Sequence, residues 1–225
     1  MIKRSIKLLF ILTTAAGAVV LSSCSTILED RYPELPPQQS AEQTAVQYRL
    51  IEAAAGFEGT ESGSLIADDK NYTLDCSGAL LAVYYKAGIN LEECYNKYSG
   101  NGVKRIYACL RDNKLIFNTR TPLPGDLIFW DNTWDRNGDG KYNDYFTHVG
   151  MVVDVDDDGT IKYIHHNYRK GFIYEQMNLL KPGNTSLNSP MRMRGSPPAP
   201  EGQYLASQLI RVFGRAWQLP KSFWR

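Results

Sequence analysis

Leu80, Val83, Tyr84 and Ala87 recur at helical spacing in the segment YTLDCSGALLAVYYKAG, residues 72–88. That pattern predicts an amphipathic helix, with Gly88 as its stop. Asp75 is a good N-cap, which puts Cys76 in the first turn. Downstream, His148 to Val155 is a β-branched run, Asp156 to Gly159 a turn cluster, and Thr160 to His165 a second short strand, so the stretch reads as a hairpin. Before it, TPLPGDLIFW gives a Pro-Gly turn and a buried strand from Leu127 to Trp130, with Asp126 serving turn chemistry. The segment GNTSLNSPMRMRGSPPAPEGQ reads as a long loop. YLASQLIRVFGRAW reads as a last helix or helix–strand element that closes the core.

The N-terminus has a different texture. Lys3 and Arg4 precede an apolar stretch from Leu8 to Leu21, the shape of a secretory signal and short for a membrane span. STILEDRYPELPPQQSAEQ follows, with three prolines and no periodicity, and reads as a semi-extended tether. The length from Ala41 to Arg225 suits one domain with a full core. A formal net charge of +1 points to neither nucleic acid nor an anionic membrane as partner.

Candidate chemistry centres on few residues. At a helix start the amides are unpaired and the dipole is positive, so Cys76 is expected to favour the thiolate. The chain has three histidines, His148, His165 and His166, all at the ends of the expected hairpin. Antiparallel pairing sets the start of one strand beside the end of the next, so His148 must lie near His165 or His166. A two-residue loop at Asp158–Gly159 or a four-residue loop at Asp156–Gly159 puts His148 and His165 on one face, while a three-residue loop favours His166. His165 is the choice adopted. One imidazole can take a proton from a thiol while the other orients it. Zinc held by Cys76, His148 and His165 is the competing reading, but no short-spaced ligand pair accompanies them.

Two resemblances sharpen this picture. Leu21-Ser22-Ser23-Cys24 resembles the lipobox of bacterial lipoproteins, which implies cleavage before Cys24 and lipid on that cysteine. Ser25 in the next place would favour the outer membrane, facing the periplasm. The expected division is a signal peptide at 1–23, a lipidated cysteine and tether at 24–42, and a hydrolase domain at 43–225. With Cys24 lipidated, Cys94 and Cys109 are the natural disulfide pair in an oxidising exported compartment, and Cys76 is left free.

The second resemblance is carried by DCSG opening a helix, PGDLIFW on a strand, HVGMVVD on the next and then YIHHN. This ordered set, from about Gln47 to Ile173, is similar to the NlpC-type cell-wall peptidases, papain-like enzymes close to the CHAP amidases. The resemblance implies an α+β fold with helices packed on a central antiparallel sheet and the nucleophile at a helix N-terminus. It implies Cys76 as nucleophile, His148 as base and then acid, and His165 as the residue that orients it, with no cofactor required for the chemistry. Asp75 and Ser77 fall where such enzymes line the substrate cleft. The family's Tyr-x-x-Gly-Gly-like stretch is missing before the nucleophile, and Tyr72 is the candidate substitute. The implied substrate is the amide bonds of peptidoglycan stem peptides. The alternatives are an amidase of the sugar–peptide linkage and a non-catalytic, calcium-stabilised wall-binding lipoprotein.

The stretch DNTWDRNGDGKYNDYFT is an insertion relative to that family. Asp135, Asn137 and Asp139 alternate ahead of Gly140, with Lys141, Asn143 and Asp144 after it, as at the start of a calcium loop. Phe146 stands where a bidentate Glu is expected, so Asp144 would have to close a shortened loop. A structural calcium at 135–144 is the expectation.

Overall fold

The computed structural model describes residues 40–193 and 195–225. The expected signal peptide, Cys24 and nearly all of the tether lie outside the described residues. In chain order the elements are α1 (Ala41–Phe57), β1 (Ser64–Ala67), β2 (Lys70–Thr73), α2 (Cys76–Lys86), α3 (Glu92–Tyr95), α4 (Gly102–Asp112), β3 (Ile116–Phe117), β4 (Leu127–Trp130), β5 (His148–Val155), β6 (Thr160–Asn167), β7 (Gly171–Asn178), α5 (Ala206–Leu209) and β8 (Ile210–Gly214).

Ser40 caps α1 with a reciprocal capping box to Gln43, and the helix begins at Ala41, two residues before the expected domain boundary at 43. One stripe of α1, Val46, Leu50, Ala53 and Ala54, is buried. β1 and β2 form a two-stranded sheet, and the other six strands form an antiparallel sheet in the order β3-β8-β4-β5-β6-β7. Alternation along the strands gives the sheet two apolar faces. Leu127, Phe129, Val149, Met151 and Ile164 belong to the core that includes α1, α2 and α4. Ile128, Trp130, Val152 and Tyr163 belong to a second core closed by Met191, Ala206 and Leu209. The α+β expectation of helices on a central antiparallel sheet therefore holds.

The C-terminal element does more than close the core. β8 pairs with both β3 and β4, so a strand from the end of the chain lies inside the sheet. Cys94 in α3 and Cys109 in α4 form a disulfide with their Cα atoms 5.7 Å apart, and Cys76 is free. Closing a loop with a sequence separation of 15 contributes about 3 kcal/mol in the chain-entropy account.

Candidate active site

The polar cluster opening α2 is a cap. Asp75 Oδ1 accepts from the amides of Ser77 and Gly78, each at 2.9 Å, and from Ser77 Oγ at 2.7 Å. Thr73 Oγ1 donates to the other carboxylate oxygen at 2.8 Å. Gly78 is required because a Cβ there would sit 2.2 Å from the Thr73 carbonyl oxygen, where the helix start tucks under the end of β2. Cys76 follows the cap directly and is partly buried.

The expected thiolate is not what this environment favours. Burial and the Asp75 carboxylate push the Cys76 thiol up to about 12, against hydrogen bonds from the amides of Val149, Ser77 and Cys76 itself. The helix dipole favours a thiolate, but burial and the negative charge of the cap beside the sulfur outweigh it. The resting sulfur is a thiol that needs a base.

That base is positioned by a hairpin whose geometry differs from either even loop considered. Asp156 N donates to Thr160 O at 2.9 Å, leaving a three-residue loop at 157–159 with Gly159 at φ 81°. Such a loop alone would favour His166. The strands pair Asp154 with Lys162 but Val152 with Tyr163, so a bulge at Val153 inserts one residue and reverses the parity. His165 thereby meets His148, with Nε2 of His148 2.7 Å from Nδ1 of His165.

Behind His165 stands a residue the sequence reading missed. Glu175 Oε2 on β7 lies 3.1 Å from His165 Nε2, and the Glu175 side chain is only 10% exposed. His165 pairs with Ile173 across β6 and β7, which puts the acid two residues further along on the same face. The network assigns the tautomers. A carboxylate only accepts, so His165 carries its proton on Nε2 and its Nδ1 accepts from His148 Nε2–H. The lone pair left over is His148 Nδ1, and Glu175 thus makes His148 a base from two rings away.

Burial, then the neighbouring His165 and His166, hold the His148 imidazolium well below the ordinary 6.5. His148 is therefore neutral and able to accept a proton at neutral pH. Protonation removes the base, and the depressed value postpones it to lower pH. The acid limb of kcat/KM is expected below pH 6.5. In Glu175→Gln, kcat is expected to fall roughly tenfold to a hundredfold with little change in KM, since the tautomer pair is no longer enforced. Wild-type pH–rate profiles with a limb at or above 6.5, or a Gln variant with unchanged kcat, would overturn this account.

Asp75, Cys76, Ser77, His148, His165 and Glu175 all line one cleft of about 1040 Å³. Tyr72, expected to help form it, does not. It is buried in the helix-side core, its hydroxyl donates to Glu92 at 3.3 Å, and its ring packs on Tyr85. On β2 the alternation turns Tyr72 inward, as the strand's buried position.

The side-chain oxygens of the insertion accept hydrogen bonds from within the insertion. Asp135 accepts from the amides of Gly138 and Gly140, Asn137 from Asp139, and Asp139 from Lys141 and the Asn143 side chain. Asp144 is buried beside Asn132, whose side-chain oxygen accepts from its amide. Among the described residues, no group of three or more His, Cys, Asp or Glu side chains is disposed to hold a metal. The alternating oxygens are here the acceptors of a turn-rich loop. The zinc reading of Cys76, His148 and His165 finds no such group either.

An antiparallel sheet flanked by helices, with a cysteine at a helix start sharing a cleft with a histidine on a strand, is the arrangement of the papain-like class of folds. Residues 67–167 match the CHAP domain, which is consistent with the CHAP/NlpC-type cell-wall peptidases. CHAP domains indicate a peptidoglycan-hydrolysing amidase or peptidase, and the function here is of that kind. No curated protein and no solved structure compared with the chain matches it.

Proposed function

We propose that this chain is a cysteine hydrolase that cuts amide bonds in peptidoglycan stem peptides. The observation that carries the reading is the hydrogen-bonded pair of His148 and His165 in the same cleft as Cys76. His148 Nδ1 takes the thiol proton as Cys76 Sγ bonds to the substrate carbonyl carbon. Because thiol and imidazole both rest neutral, proton transfer accompanies attack rather than preceding it. The Cys76 amide helps hold the tetrahedral oxyanion. The imidazolium then gives its proton to the leaving amine as the C–N bond breaks, leaving a thioester. Water, deprotonated by His148, attacks the thioester and releases the acid and the thiol.

Mass spectrometry of purified wall fragments after incubation with the protein tests the reading. Cleavage inside the stem peptide is expected. Release of whole stem peptides from the sugar would instead make the enzyme an amidase, and the exposed Trp134 and Tyr168 on the cleft rim favour that second reading as surfaces for a sugar ring. Uptake of fragments without turnover would leave a wall-binding protein.

The lipobox-like Leu21-Ser22-Ser23-Cys24 supports an exported protein held by lipid on the outer membrane, facing the periplasm. Palmitate incorporation is expected in wild type and lost in Cys24→Ala, with the protein leaving the membrane fraction. Labelling that survives the substitution would refute the anchor.

A further inference from the structure

We propose that the cleft selects acidic peptides, carrying free carboxylates near the scissile amide, over their amidated counterparts. The inference rests on the hydrolytic reading above and concerns which peptide enters.

Four cationic side chains line the cleft, Arg136, Arg169, Lys170 and Arg192, against two acids, Asp75 and Glu175. Both acids are committed, Asp75 to the amides of α2 and Glu175 to His165. Among the described residues no carboxylate lies within ion-pair range of Arg136, Arg169 or Arg192, and Lys170 reaches Glu175 only at 3.6 Å.

One of these cations is fixed in place. Arg192 donates from Nε and Nη2 to the Pro197 carbonyl oxygen at 3.2 and 2.8 Å, and from Nη1 to that of Asn132. Its guanidinium also lies 5.1 Å from the Tyr142 ring centroid. Carbonyls and a ring face orient the group without neutralising it, and leave part of its donor fork free for a carboxylate. Arg169 stands over Tyr168, with the guanidinium 5.2 Å from the ring centroid. A pre-oriented guanidinium gives up less freedom on binding, and a carboxylate takes charge-assisted bonds from it that an amide cannot replace. Apolar walls such as Met191 and Trp134 focus the field of these cations into the cleft.

The test uses two synthetic peptides of one sequence, one with free carboxylates and one fully amidated. Their binding to the full chain carrying Cys76→Ala is measured by calorimetry at low and high salt. The acidic peptide is expected to bind about tenfold tighter or more, with the gap narrowing as salt screens it. Arg136→Gln combined with Arg169→Gln, two exposed positions, is expected to bring the two Kd values together. Equal Kd values in the parent, binding by neither peptide, or a preference untouched by the double substitution would overturn the proposal. Turnover by the wild-type chain is read separately. Preferential binding without hydrolysis would refute the hydrolase and support the acidic subsite.

Discussion

Cys76→Ala is expected to abolish amide hydrolysis, lowering kcat/KM by about four orders of magnitude or more, while the protein stays folded. Chemistry needs the sulfur because no other group in the cleft stands at the helix start beside the Val149 amide, one residue from the base. Folding does not need it. The cap that starts α2 is made by Asp75, and Gly78 supplies the close approach to Thr73, so both survive the change. His148→Ala should be nearly as damaging, since it removes the proton acceptor. His165→Ala should cost less, because His165 orients the base and transfers no proton itself. Hydrolysis of wall peptides and thermal melting, measured on the same preparations, check the pair of claims. Turnover of Cys76→Ala within tenfold of wild type would end the mechanism. The same logic makes Cys76 the one thiol open to alkylation among the described residues, since Cys94 and Cys109 are bonded to each other.

The parts of this site that were legible in the sequence are those set by local pattern. Asp75 as a cap, α2 running to Lys86, the strand at 127–130 and the hairpin from His148 all follow from periodicity and turn chemistry over a few residues. The choice of His165 over His166 shows how thin such inference can be. Residues 165 and 148 do meet, but through a three-residue loop compensated by the bulge at Val153. A bulge leaves no mark in an alternating pattern of β-branched residues, so parity arguments carried across it are unsafe. What depends on distant pairing was not legible. Glu175 reaches His165 only because β7 pairs with β6 in one register. The thiolate expected of Cys76 failed because the fold buries the sulfur, and because the capping acid that makes the helix also opposes negative charge on its neighbour. Insertion residues spaced like cation ligands turned out to accept from their own backbone. Asp126 was read as turn chemistry, and its bond from the Leu123 amide at 2.8 Å is of that kind, but it has a larger role.

Asp126→Asn is expected to destabilise the fold by about 3–5 kcal/mol, without reducing kcat in the molecules that remain folded. Asp126 is fully buried, and Arg215 is 2% exposed. The two meet in a fork, Nε to Oδ1 and Nη2 to Oδ2, both at 2.9 Å, with the Trp217 indole N–H donating to Oδ1 as well. The contact joins the turn before β4 to the residue after β8, so it fixes the long-range pairing that places the C-terminal strand inside the sheet. Burial pushes the Asp126 carboxyl up even against the pull of Arg215, which means desolvation offsets much of the attraction. Removing one partner therefore costs more than the pair contributes, because a guanidinium stays buried without its counter-ion. Among the described residues Arg215 Nη1 has no hydrogen-bond partner, which leaves the variant few ways to compensate. For a domain of this size the loss corresponds to a fall in Tm of about 6–20 °C. Replacing both residues, Asp126→Leu with Arg215→Met, is expected to recover much of it, as apolar side chains fill the space without buried charge. The catalytic end of β4 is remote from the change. Trp130 pairs with His148, whereas the Asp126 carbonyl accepts from the Val152 amide. Equilibrium urea unfolding of the single and double variants, with kcat measured at low temperature, separates the two roles. A single variant that melts like wild type but has lost turnover would move Asp126 from the fold into the chemistry.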